Sequence, residues 1–127
     1  WGGTAAALWG ITAGVYLALM GPGGMTELGE GMMARTRYAM ERLGAVPGVR
    51  LPFRDRHHVK EFVVDLTATG RTVADLNRAL LAGGILGGVD LSVQFPELGQ
   101  TLLVAVTEIH AQADIDRLAD QLGEVLR

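Results

Sequence analysis

The feature that most constrains this chain is its opening stretch, where no Asp, Glu, Lys, Arg or His occurs before Glu27. Trp1 to Met20 has about the length that a helix needs to cross a bilayer, roughly 20 residues. The stretch is rich in Gly, Ala and Thr and lacks Lys or Arg anchors, which argues against a membrane span. Its larger apolar residues recur at helical spacings of three and four: Leu8, Ile11, Val15 and Leu19. The pattern predicts a helix packed in a protein core, with no membrane contact.

The whole chain has the size and composition of one soluble domain. Its 127 residues are enough for a single core. Because it begins with Trp1 rather than Met and has no basic signal segment, we expect it to be a fragment of a longer chain. A net charge of −3 without a basic stripe argues against a nucleic-acid partner. The absence of cysteine excludes disulfides and Cys-based zinc sites, and it is compatible with the cytoplasm, the expected location.

Residues 1–44 are predicted to form a helical pair. Gly21 to Gly24, with Pro22 inside, is a strong breaker that closes the first helix, and a second helix is predicted from Met25 to Leu43. Its apolar stripe consists of Leu28, Met32, Thr36, Met40 and Leu43. Methionines at helical spacing are interpreted as core filling rather than as soft ligands.

Residues 49–127 are predicted to form a small α/β sheet unit. Phe62, Val64 and Leu66 alternate with Glu61, Val63 and Asp65, which predicts a strand with one better buried face. A helix begins after the cap Thr72, with Asp75 reaching back, and buries Val73, Leu76, Leu80 and Leu81 before stopping at Gly83–Gly84. Two further strands follow, a short one at Ile85–Leu86 and an apolar one at Thr101–Thr107 covered on both faces. The last helix buries Ile115, Leu118, Leu122, Val125 and Leu126, with Asp114 and Asp116 near its N-terminus.

The predicted fold class is therefore α+β, a two-layer sandwich of a helical pair followed by β-α-β-β-α with a small mixed or antiparallel sheet. We expect 1–127 to be a single domain. The β-α-β-β-α part has the order of a small ferredoxin-like sheet.

Signatures of chemistry are scarce. There is no phosphate-binding loop and no nucleophile elbow, and the glycine-rich Gly83 to Gly88 follows a helix, which favours a helix stop over a dinucleotide loop. His57 and His58 are adjacent and lack a third ligand at suitable spacing, so we interpret them as loop histidines without metal. His110 precedes the last helix, where a capping or surface role is the default.

Two carboxylates adjoin apolar strands. Glu61 begins one predicted strand, and Glu108 follows Thr107 where another ends. Strand ends often carry functional side chains in α/β proteins, although an acid facing water explains both positions equally well. Glu61, Thr107 and Glu108 are the candidates for pocket-facing residues, with no catalytic residue, cofactor-binding residue or metal ligand assigned in this segment.

Several stretches, in order along the chain, resemble subunit 1 of the two-subunit glycine decarboxylase (P-protein) family of the glycine cleavage system. The matching stretches are Val15–Pro22 (the family's YLALLGP), Glu61–Val64 (NEFVV), Gly84–Gly88 (GILGG), Phe95–Leu98 (YPEL), Leu102–Glu108 (LLVCVTE) and Asp114–Asp116 (DID).

The resemblance implies the small C-terminal domain of an aminotransferase-like, fold type I pyridoxal phosphate enzyme. It implies that the complete enzyme decarboxylates glycine and passes the aminomethyl group to lipoylated H-protein, with pyridoxal phosphate held by a lysine of subunit 2. The segment alone is then not an enzyme and binds no cofactor. Its single lysine, Lys60, does not lie in a cofactor-lysine motif.

The chain departs from the family pattern at a few polar positions. Thr4 is followed by Ala5 and Ala6 where the family has Asn-Gln, and Lys60 replaces the Asn before Glu61. If those amides line an inter-subunit pocket, this chain lacks them. The alternatives are a stand-alone ferredoxin-like module for ligand sensing or assembly, and a domain anchored in a membrane by Trp1 to Met20.

Overall fold

The structure, a computed structural model, describes residues 4–127, with side chains from Ala6 onward. Predictions that involve Trp1, or the side chains of Thr4 and Ala5, fall outside what it describes. The helices and strands follow in this order: α1 (Thr4–Gly44), β1 (Glu61–Asp65), α2 (Val73–Ala82), β2 (Val89–Asp90), β3 (Thr101–Ala105) and α3 (Gln112–Val125), with short 3₁₀ turns at Thr67–Thr69 and Pro96–Leu98. The chain divides into two units, residues 1–31 and Met32–Arg127.

The first unit carries the N-terminal part of α1. The predicted break is a kink at Gly21, whose φ of 60° and ψ of −179° are not helical. One helical segment ends there, and the next begins at Pro22. Glycine accepts this positive φ without the penalty that a Cβ imposes. The predicted helix pair is therefore present with a kink instead of a connecting loop.

The first helix was predicted to pack in a protein core, and the first unit by itself does not provide one. The large apolar side chains from Leu8 to Leu19 are exposed, from 45 % for Tyr16 to 82 % for Leu19. Periodicity shows which residues share a face, but it does not supply a surface to cover them. The helix is also long and apolar enough to cross a membrane, a property that core helices of soluble proteins share, and its most apolar window is unburied.

The second unit contains a three-stranded antiparallel sheet in the order β1-β3-β2. Glu61 pairs with Ala105 and Asp65 with Thr101, while Val89 pairs with Leu103. Residues 101–105 thus form the central strand, as predicted. The predicted strand at Ile85–Leu86 is wrong, because the chain pairs with β3 only from Val89 onward.

One face of the sheet carries the core. Phe62 and Val64 of β1 lie opposite Val104 and Leu102 of β3, and all four are buried. They belong to one cluster with buried residues of the helices: Ala39, Met40, Leu43, Val73, Leu76, Leu80, Ile115, Ala119 and Leu122. The other face is more open, since Ala105 is exposed and Leu103 half-buried. The expectation that β3 is covered on both faces is therefore wrong, and the α+β two-layer arrangement is confirmed.

The helix ends follow the local chemistry of the sequence. The Thr72 hydroxyl accepts a hydrogen bond from the Asp75 backbone N–H at 3.1 Å and contacts the Asp75 carboxylate at 2.9 Å, so the predicted cap is present. Gly83 ends α2, as predicted. Leu81 was predicted to be buried and is instead exposed, since it lies one position past the buried Leu80 on the helix.

Candidate functional site

The three predicted site residues lie at one end of the sheet. Glu61 begins β1 and pairs with Ala105, the last residue of β3, and Thr107 and Glu108 follow directly. The Val106 N–H donates to the Lys60 carbonyl at 2.7 Å, which extends this pairing by one step. Glu61 and Glu108 are exposed and Thr107 is half-buried. The antiparallel register thus brings the three together, and their orientation towards a pocket stays a prediction.

His110 organises the turn that contains Thr107. The Thr107 N–H donates to His110 Nδ1 at 3.0 Å, and the His110 carbonyl accepts from Arg35 Nε at 3.1 Å. The ring therefore shapes the backbone after β3, and the His110 carbonyl links this turn to α1. The role is structural, in line with the default expectation for this residue.

A cleft of about 410 Å³ adjoins the start of β1, within the second unit. One wall is a face of α1, where Met33, Arg37, Met40 and Glu41 follow at helical spacing. The other wall is the loop before β1, which contributes Arg54, Arg56, His57, His58 and Val59. Two sequence-distant segments thus bring three guanidinium groups to one concave surface.

The loop wall is held by hydrogen bonds of its own. Backbone N–H groups of Arg54 and Arg56 donate to the carbonyls of Leu51 and Phe53 at 3.2 and 3.0 Å. The His58 ring spans the loop, with Nε2 2.9 Å from the Phe53 carbonyl and Nδ1 3.0 Å from the Glu61 carbonyl. His58 therefore has a bracing role in this loop.

The arginines of the cleft have no carboxylate partner in the described chain, which is also true of Arg35, Arg71, Arg117 and Arg127. Arg42, Arg50 and Arg78 each form an ion pair with an aspartate. Within residues 4–127, no carboxylate lies within 4.0 Å of the guanidinium groups of Arg37, Arg54 or Arg56. Glu41 is the one carboxylate in the lining described, so the cleft carries an excess of positive charge.

Sequence reasoning missed this cleft. His57 and His58 were interpreted as loop histidines, and no role was predicted for Arg37, Arg54 or Arg56. Arg37 lies at helical spacing from Met33 and Met40, which was the signal that it shares their face. Arg37 lies near a loop about 20 residues later in the sequence. This is a tertiary contact, and local sequence patterns do not indicate it.

Three aspartates outside the cleft, Asp65, Asp75 and Asp116, have lowered pKa values. Burial opposes ionisation of Asp65, but hydrogen bonds from Thr67 and from Arg50 outweigh it and hold the pKa of Asp65 below its ordinary value. The pKa of Asp116 is lowered first by the Tyr38 hydroxyl, 2.6 Å away, and also by Arg42. Asp116 thus ties α3 to α1 rather than capping α3, whereas Asp114 accepts from the Ala111 N–H at 2.8 Å.

The glycine-rich loop after α2, Gly83 to Gly88, is held by hydrogen bonds from other residues of the chain. Asn77 Nδ2 donates to the Gly88 carbonyl at 3.0 Å, and Arg117 Nη2 donates to the Gly83 carbonyl at 2.6 Å. A Cβ at Gly88, where φ is 152°, would collide with the Leu103 carbonyl. These contacts account for the glycines as a helix stop and a close approach to β3. Among the residues described, no group of three or more His, Cys, Asp or Glu is arranged to hold a metal ion.

Comparison with known proteins gives consistent results. No protein-family model matches the chain. The chain is 43 % identical over 113 residues to the probable glycine dehydrogenase (decarboxylating) subunit 1 of Thiobacillus denitrificans, covering 87 % of this chain and 24 % of that protein. It is 37 % identical over 120 residues to the protein of the same name from Staphylothermus marinus, covering 94 % and 25 %.

A solved structure gives the same match. It is described as glycine decarboxylase (P-protein) of the glycine cleavage system in inhibitor-bound form, and it is similar with a TM-score of 0.75 and 31 % identity over 87 % of this chain and 24 % of that one. The chain thus spans about a quarter of the length of the proteins that it matches.

Proposed function

Starting from the homology of this chain to part of the glycine dehydrogenase (decarboxylating) subunit 1 proteins, we propose that it is the C-terminal domain of such a subunit. The observation that carries the proposal is the joint match in sequence and fold over 87 % of the chain. The activity that we assign to the whole protein is glycine decarboxylation within the glycine cleavage system. The partners that we assign are a cofactor-bearing subunit 2 and the lipoylated H-protein, all in the cytoplasm.

The cofactor of this reaction would be pyridoxal phosphate, which stabilises the carbanion left by decarboxylation. Such enzymes bind the cofactor aldehyde through a lysine. The residues described do not fit that role, because the single lysine, Lys60, is exposed and follows no cofactor-lysine motif. We derive no chemical step from this chain and, following the two-subunit family that it resembles, propose that the cofactor is bound by the partner subunit.

The contribution of this chain would be to position surfaces around the partner's site. Glu61, Thr107 and Glu108 lie together at one end of a sheet whose register is set by β1–β3 pairing. Glu61 is held by the strand itself, whereas Thr107 and Glu108 lie in the turn after β3 that His110 organises. Closing the pocket with this end of the sheet would exclude water from the reacting groups.

The exposed apolar side chains of α1 would pack on the remaining three quarters of the subunit. Residues such as Leu8, Ile11 and Leu19 lie on a helix without a single charge before Glu27, and more than half of each side chain is exposed. Exposed apolar surface of this extent marks a contact with protein or membrane. We favour protein, because the matched relatives provide a polypeptide about four times as long.

The test is exchange of the glycine carboxyl carbon with bicarbonate, measured with the complete polypeptide, pyridoxal phosphate and lipoylated H-protein, with and without the candidate subunit 2. We expect exchange only when both subunits are present. If no exchange occurs while subunit 2 is active with a known subunit 1, the fold assignment stands and the proposed activity is wrong. Recovery of the complete polypeptide only in detergent would contradict the packing assigned to α1.

A further inference from the structure

We propose that the cleft between α1 and the 54–58 loop is a binding site for a small molecule that carries a carboxylate or phosphate group. The ligand chemistry shared by both groups is an oxyanion. The inference uses only the geometry and charge of the second unit, so it is independent of the activity proposed above.

The first argument is the local charge. The chain as a whole has a net charge of −3, so its surface is not generally basic. Within this cleft, Arg37, Arg54 and Arg56 face one carboxylate, that of Glu41, and none of the three forms an ion pair within the described chain. Asp55 belongs to the same loop but is not among the lining residues. Guanidinium groups without a carboxylate partner bind planar oxyanions through two parallel hydrogen bonds.

The second argument is preorganisation of the loop. The His58 ring lies between the Phe53 and Glu61 carbonyls, at 2.9 and 3.0 Å. A proton on either ring nitrogen lets it donate to one of these carbonyls, and an imidazolium donates to both. The ring thus contacts both ends of the segment that carries Arg54 and Arg56, and its N–H holds at least one of them. The conformational entropy of this loop is then already lost on folding, so ligand binding does not have to order the loop.

The third argument is size and lining. A cleft of about 410 Å³ lies within the range of small-molecule sites, roughly 300–1,000 Å³. Met33, Met40 and Val59 contribute apolar surface beside the charges. This combination fits an anion attached to an apolar body, whereas an extended acidic segment of another protein would make little use of the apolar wall. The structure therefore favours a small molecule over an acidic peptide.

The experiment is calorimetric titration of the full chain with three probes at ionic strength held constant by sodium chloride: inorganic phosphate, benzoate, and the neutral analogue benzamide. We expect saturable one-to-one binding of phosphate or benzoate and none of benzamide. Phosphate alone identifies a phosphate site, and benzoate alone identifies a carboxylate site.

The decisive variant is R54Q/R56Q. It should weaken binding at least about tenfold, because it removes two charged hydrogen-bond donors from one wall of the cleft. The matched control R71Q/R127Q removes the same charge from exposed positions outside this cleft and should leave the affinity within about twofold. R54K/R56K keeps the charge and loses the planar fork, so it should also bind more weakly. If R54Q/R56Q fails to fold by circular dichroism, R37Q on the opposite wall replaces it.

Four results would overturn the proposal. They are no saturable binding above the chloride background, equal losses in the cleft and control variants, equal binding of benzamide and benzoate, and binding of hexaglutamate more than about tenfold tighter than either small anion. The last result would assign the cleft to an acidic protein segment instead.

Discussion

The two units of this chain use apolar residues in opposite ways. In the first unit, residues 1–31, the apolar side chains Leu8, Ile11 and Leu19 are exposed on a helix. In the second, residues 32–127, Leu76, Leu80 and others with similar spacing are buried. The second unit has strands and further helices that cover each apolar face, which the first unit alone does not provide. Hydrophobic burial therefore depends on the partner surface more than on the helix that carries the pattern.

The largest expected effect tests that contrast directly. Leu80→Ala removes a side chain that is 0 % exposed and should lower the free energy of unfolding by about 2–5 kcal/mol. Leu19→Ala, at 82 % exposed, should change it by less than about 0.5 kcal/mol in the 127-residue chain. Urea unfolding followed by circular dichroism measures both. Equal losses would mean that the first unit has a core of its own.

Leu19→Ala also tests the proposal that the rest of the subunit covers the apolar face of α1. In the complete polypeptide, where we expect protein to cover this helix, Leu19→Ala should become clearly destabilising. An effect that stays near zero there would leave the apolar face of the first unit unexplained by packing on the rest of the subunit.

Acid sensitivity should come from the second unit. Asp65 is buried, accepts a hydrogen bond from the Thr67 N–H at 2.8 Å and pairs with Arg50 at 2.9 Å. Asp65→Asn should cost about 1–3 kcal/mol at pH 7, mostly from the buried hydrogen bonds because Arg50 is largely exposed. The folded pKa lies below the ordinary value of about 3.9, so this stabilisation is complete above that pH. It is lost as the pH falls through the lower folded value.

The measurement is urea unfolding of the parent and the variant at neutral pH and at about pH 2 to 3. The difference between the two proteins should shrink in acid. Glu27→Gln is the control, because Glu27 is the first acidic residue of the chain, lies in the first unit and is exposed. It should leave the free energy of unfolding unchanged at both pH values. A difference for Asp65→Asn that is constant with pH would remove Asp65 from the acid response.

Features that depend only on neighbouring residues were predicted correctly from the sequence. Features that depend on a distant partner were not. The Thr72–Asp75 cap and the stop at Gly83 depend on neighbours within a few residues, and both are present. The short strand was placed at Ile85–Leu86 because apolar residues between glycines look extended, but strand identity requires a partner, and β3 pairs from Val89. The alternation in β1 was predictable because one face of that strand is buried, whereas the strand order β1-β3-β2 was not predicted.

The candidate site was predictable only in part, for the same reason. Glu61, Thr107 and Glu108 adjoin strand ends, which the sequence indicates, whereas the antiparallel register that unites them is seen only in the structure. The basic cleft depends on Arg37 of α1 meeting the loop of Arg54 and Arg56, with His58 as a brace. Neither contact has a local signature, so only the tertiary structure reveals the positive surface.

The smallest expected effect compares one substitution in both units. A Cβ at Gly14 or at Gly70 would meet no atom within 4 Å, so packing is the same at the two sites. They differ in backbone conformation, since Gly14 lies in α1 and Gly70 has a φ of 69° after a 3₁₀ turn. Gly14→Ala should stabilise the helix by about 0.5–1 kcal/mol, whereas Gly70→Ala should destabilise the second unit by about 1 kcal/mol. Amide hydrogen exchange around each position resolves the two effects. Protection that changes in the same direction at both sites would contradict the helical backbone at Gly14 or the left-handed one at Gly70.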